Sequence, residues 1–150
     1  MVFFLMLLGA LVAGCESVAF HRVAEPAGEV LAVHETRARF EGLAEMPCQH
    51  LTAQCPDACN HGGRYAQFAI VAYTGYEKRG VYGDEQQTRF AFRVALKDGS
   101  ADGAVPEALR QVVEKLRPGQ EVALTWWHVY VTDPATGSKW PERVVMNLAE

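Results

Sequence analysis

The sequence carries no Lys or Arg before Arg22, and no positive excess overall: 14 Lys and Arg stand against 18 Asp and Glu, for a net charge of −4. A nucleic-acid binder needs a basic footprint to neutralise phosphates, so that class is set aside. Tethering by a polybasic patch is set aside with it. No apolar run reaches the roughly 20 residues needed to cross a bilayer core. Gly-x-Ser-x-Gly, a phosphate-binding loop and His-Glu-x-x-His are all missing. Asp84 and Glu85 are adjacent, which is not the spacing of a catalytic carboxylate pair. Enzyme classes are therefore disfavoured. There is no C-x2-C knuckle and no C-x-x-C-H haem attachment motif, no internal repeat and no low-complexity tract. Charged residues make up 21 % and apolar residues 49 %, which suits one folded domain with its own core.

Residues 1–14 are an uncharged apolar run of signal-peptide length. It ends in Val12-Ala13-Gly14-Cys15, which resembles the lipobox of bacterial lipoproteins. That resemblance implies cleavage before Cys15, a diacylglycerol on its sulfur and attachment of palmitate-like acyl chains. It implies a cell-envelope protein whose membrane partner is reached through the lipid. Glu16 stands where the enteric inner-membrane retention signal has Asp, which favours the outer membrane, facing the periplasm. Residues 15–27 lack a clear period and are expected to be a tether, with the domain at 28–150.

Within the domain, strands are expected at Glu29 to Arg39, Tyr65 to Tyr73, Thr88 to Leu96, Glu121 to Thr132 and Glu142 to Leu148. In the third, Phe90, Phe92, Val94 and Leu96 share one face. In the fourth, Val122, Leu124, Trp126, His128 and Tyr130 share one face, and both faces are rather apolar. Pro106 to Leu116 reads as the one helix, with Leu109, Val112, Val113 and Leu116 as its buried stripe. Five strands with a helix between the third and fourth match the element order of the OB-fold. The expectation is a mainly β, five-stranded OB-like barrel.

Residues 40–63 form the densest chemistry. With Cys15 taken by lipid, three of the four cysteines remain, and three thiols cannot all pair within one chain. Cys48, Cys55, Cys59 and His61, with His50 as a spare, would make a three-sulfur, one-nitrogen set suited to structural zinc. Copper(I) is the second metal that such soft ligands favour. A disulfide with one leftover thiol is the alternative that an oxidising compartment offers. A redox-active thiol, or a Cys59–His61 nucleophilic pair, is a third. The segment Cys-Pro-Asp-Ala-Cys-Asn-His-Gly-Gly resembles segments of small exported bacterial proteins, and the resemblance implies no activity.

Aromatic residues supply the remaining candidates. Trp127, Tyr76 and Tyr82 are the expected binding face. Tyr73, Tyr76 and Tyr82 with Lys78 and Arg79 could hold a sugar or peptide, or could merely cap one end of the domain. Trp126-Trp127-His128 reads more simply as core packing by one Trp and half-exposed packing by the other. His34 and His21 lack chemical partners nearby in sequence, and Arg89 and Arg93 are expected to pair with local carboxylates. The functional expectation is a lipid-anchored, non-enzymatic binding domain with a structural metal, whose partner is an envelope protein or small ligand. The alternatives are periplasmic copper handling and a disulfide-stapled domain with thiol redox activity.

Overall fold

The computed structural model describes residues 18–47 and 61–150. The elements are β1 (Ala19–His21), β2 (Glu29–Met46), β3 (Gly63–Lys78), β4 (Arg89–Leu96), α1 (Glu107–Lys115), β5 (Glu121–Thr132) and β6 (Lys139–Ala149). All pairings among the described strands are antiparallel, in one sheet of order β1-β6-β5-β2-β3-β4. No helix among the described residues is long and apolar enough to cross a membrane.

The five-stranded barrel is overturned: among the described residues the sheet has six strands and is not closed. Part of the difference is β1, which lies inside the stretch expected to be a tether. Three residues are too few to show a period, and Phe20 reaches the core only through its pairing with Leu148. The other part lies at β4. Its own connection folds back on its outer edge: the Leu96 N–H donates to Ser100 and the Asp102 N–H to Val94. A strand edge occupied in this way cannot also pair with a distant strand to close a barrel.

The sheet nonetheless curls strongly. Between β2 and β3 the register shifts three times, at Glu35/Thr36, Arg37/Ala38 and Phe40/Gly42. Each bulge inserts an unpaired residue and adds local twist. Gly42, at φ +124°, sits at the last of these shifts, where a side chain would be strained. The curl brings Phe90 of β4 onto Trp126 of β5, with ring centroids 4.2 Å apart, although β2 and β3 lie between those strands. Phe40, Phe68, Phe92, Leu124 and Leu148 extend this core.

The helix closes one side of the bowl. Leu109, Val112, Val113 and Leu116 are buried in the core, as their spacing requires. Pro106 is its N-cap, Glu107 lies in the first turn and Lys115 in the last, both placed to suit the helix dipole. Strand β5 runs over the expected residues, and the others run longer or start slightly later than their alternation suggests.

Candidate functional site

The β3–β4 connection is folded back onto β2. The Arg79 N–H donates to the Leu31 carbonyl at 2.8 Å. Gly83 lies so close to that strand that a Cβ on it would stand 2.3 Å from the Leu31 oxygen. Two tyrosines pin the loop from beneath. The Tyr76 hydroxyl donates to the Asp84 carbonyl at 2.8 Å, and Tyr73 accepts from the Gln87 N–H at 2.7 Å.

These constraints bring Asp84 to His128 and Arg143. The Asp84 N–H donates to His128 Nδ1 at 3.1 Å, and Asp84 Oδ1 lies 3.5 Å from the same nitrogen. Arg143 grips the carboxylate with Nε on Oδ2 at 2.6 Å and Nη2 on Oδ1 at 3.2 Å. This two-point grip is the stronger form of guanidinium–carboxylate contact. Because Nδ1 accepts a backbone N–H, the neutral ring carries its proton on Nε2, which makes that nitrogen a donor.

The charges follow from burial and neighbours. Burial pushes the His128 imidazolium down; the Asp84 charge pulls it up and Arg143 pushes it down again, for a net lowering. His128 is therefore neutral at pH 7. Burial pushes the Asp84 carboxyl up, but the hydrogen bond and charge of Arg143, with His128 and His34 adding to them, hold it below its usual value.

His34 lies behind this group. It faces Tyr76 on β3 and Trp126 on β5 in register, and its ring stacks on Trp126 at 4.5 Å with an interplanar angle of 8°. Nδ1 is 3.2 Å from the Tyr73 hydroxyl. Nε2 and the Trp126 indole N–H are buried without a partner among the described residues. Burial, the dominant cause, lowers the His34 pKa from 6.5 to about 4, against the Asp84 charge and with help from His128 and Arg143.

A groove of about 920 Å³ opens beside Asp84, His128 and Arg143, between the β4 side of the bowl and β6. Phe92, Leu109 and Val145, all core residues, lie at its floor. Tyr82 and Tyr130 stand at its mouth with ring centroids 6.5 Å apart. Its size is at the upper end of small-molecule sites, which span about 300–1,000 Å³.

The residues singled out in the sequence are only partly brought together. Cys15, Cys48, His50, Cys55 and Cys59 lie outside the described residues, so the metal set is represented here by His61 alone. His61 lines the groove, and its carbonyl accepts the Tyr65 hydroxyl at 2.7 Å. Among the described residues no group of three or more His, Cys, Asp or Glu could hold a metal ion. Tyr82 is 71 % exposed at the groove mouth, whereas the Tyr76 hydroxyl is spent on the loop. Trp127 alternates with Trp126 and so lies on the opposite sheet face. The trio is not one surface. Trp126 is in the core and Trp127 is half-buried. Arg89 pairs with Glu41, and Arg93 with Asp102. The Asp84–Arg143 pair spans 59 positions, and nothing local in the sequence links the two. No protein-family model, curated protein or solved structure matches the chain.

Proposed function

We propose that this chain is a lipid-anchored, non-enzymatic binding domain of the bacterial cell envelope, and that the groove beside Asp84, His128 and Arg143 is its ligand site. The observation that carries the reading is a roomy cleft with a floor of core side chains and convergent polar groups at its wall. His128 offers a neutral N–H donor there, held in one tautomer by Asp84. The same group speaks against hydrolysis: Asp84 is committed to Arg143, and His128 turns its accepting nitrogen to the loop backbone rather than to the groove. The lipid half of the proposal rests on Val12-Ala13-Gly14-Cys15.

Two measurements test it. In a bacterial host, mass spectrometry of the membrane fraction is expected to find a diacylglyceryl group on Cys15, lost in Cys15→Ser. For the domain, a small-molecule screen read by 15N–1H NMR is expected to yield binders that shift Tyr82, Tyr130 and Arg143 together. An unmodified Cys15 overturns the anchor. Binders that all map away from these residues overturn the groove.

A further inference from the structure

Resting on the groove reading above, we infer that the ligand is an anionic single-chain amphiphile: an acyl chain carrying one carboxylate. Most cations around the groove are already paired. Arg143 is held by Asp84 and Arg93 by Asp102. Glu142 accepts the Trp140 indole N–H at 2.7 Å and keeps its negative charge. By strand alternation those two side chains lie on the sheet face away from His128 and Tyr130, so they meet the groove only at its rim.

Arg22 is different. Its Nε donates to the Val145 carbonyl at 3.2 Å, and among the described residues its guanidinium has no carboxylate partner. Its two terminal nitrogens have no partner among the described residues, at a wall where Arg93 and Arg143 are each paired with a carboxylate. A guanidinium fork matches a carboxylate in two-point geometry. With the Glu142 side chain on the opposite sheet face, one guanidinium without a carboxylate partner suits a monoanion, whereas a phosphate monoester would bring a charge of about −1.5 to −2.

The floor calls for the other half of the ligand. Phe92, Leu109 and Val145 belong to the continuous core, and Val105 and Pro106 flank them. A chain of methylenes is the ligand chemistry that gains from contact with such a floor.

The groove is also poorly made for an extended peptide added as a strand. The Asp133 N–H on the Ser138 carbonyl fixes the alternation of β6, which turns Pro141, Arg143 and Val145 outward. Pro141 has no N–H to give, and Arg22 already occupies the Val145 carbonyl. On β4 the outward edge is taken from Val94 onward by residues 100–102. Side chains are therefore left to carry most of the recognition.

The test is a titration of the mature chain with dodecanoate, dodecan-1-ol and dodecyl phosphate below micellar concentrations, read by 15N–1H NMR. Dodecanoate is expected to shift Ala91, Tyr130 and Arg143 and to bind roughly tenfold tighter than dodecan-1-ol, as one charge-assisted contact implies. In Arg22→Gln that preference should vanish while the alcohol still binds; Arg22→Lys should restore part of it. Equal binding of acid and alcohol by the unaltered chain overturns the inference, and so does a preference that survives Arg22→Gln. Tighter binding of dodecyl phosphate overturns the carboxylate assignment. A groove that ignores all three amphiphiles but responds in the small-molecule screen overturns this inference alone. A groove silent in both experiments overturns the binding-site reading as well.

Discussion

Acid should destabilise this fold through His34 well before its carboxylates are protonated. The imidazole is fully buried against Trp126, with no partner for Nε2 among the described residues, and its pKa falls from 6.5 to about 4. A depressed histidine means that the unfolded chain binds the proton more tightly than the folded one. The associated stability is fully present above pH 6.5 and is lost progressively as pH falls from there toward 4. At roughly 1.4 kcal/mol for each tenfold change in proton affinity, the loss by pH 4 amounts to about 3 kcal/mol. Against a typical domain stability of about 5–15 kcal/mol, that is a large fraction.

The assay is urea unfolding at several pH values between 4 and 8, on the unaltered chain and on His34→Leu. The substitution removes the Tyr73 contact and the ring stack at every pH, so the two curves will be offset. It also removes the titrating group, so the leucine variant should lose about 3 kcal/mol less between pH 6.5 and pH 4. His128 and the carboxylates are present in both proteins and largely cancel in the comparison. Parallel stability curves across that window would refute the reasoning. So would an NMR titration in which the His34 ring protonates near 6.5 in the folded chain.

Three further outcomes are expected. In Asp84→Asn the charge that pulls His128 upward is gone, so the His128 pKa, followed by its ring-proton shift, should fall further; a rise would contradict the assignment. Gly83→Ala places a Cβ 2.3 Å from the Leu31 carbonyl oxygen and should cost about 1–3 kcal/mol in thermal or urea unfolding. Gly103→Ala, with open space around it, should stay within about 0.5 kcal/mol, and equal effects at the two sites would show that the loop is not seated as described. Elemental analysis of the protein purified without added metal should find about one zinc per chain if Cys48, Cys55, Cys59 and His61 form the proposed ligand set; no metal, together with one disulfide by mass spectrometry, would reject it.

What the sequence makes legible follows the reach of each physical signal. The alternation of Val122, Leu124, Trp126 and His128 placed β5 and its buried face because one residue in two must face the core. The stripe from Leu109 to Leu116 placed the helix face for the same reason at a different period. The far half of β3 broke that rule, because the bulges at Glu35/Thr36 and Arg37/Ala38 place their extra residues on β3 and its burial no longer alternates there, whereas β2 alternates from Ala32 to Met46 with only small or partly exposed apolar residues past Phe40. The same bulges decide the architecture, since they curl the sheet far enough for Phe90 to meet Trp126. A local pattern that is lost at the bulges cannot report the curvature they create, and a closed barrel was the default that this left.

The site was less legible than the fold because its chemistry is assembled across the sheet. His128 was visible as one residue of a core-facing strand, but its partner Asp84 comes from a loop and Arg143 from the next strand. What holds Asp84 in place is a glycine at 83, with no side chain to announce itself, and two tyrosines whose hydroxyls bond backbone atoms. Backbone hydrogen bonds impose no residue type on the loop, so the sequence there carries little of the constraint. Arg22 is the extreme case. It sits in a stretch that reads as a tether, yet the short strand before it fixes its position beside Val145. Its proposed role rests on a difference that only the assembled structure contains: Arg93 and Arg143 are paired with carboxylates from other segments, and Arg22 has no such partner among the described residues. The unspent cation, rather than the count of cations, sets what the groove can hold.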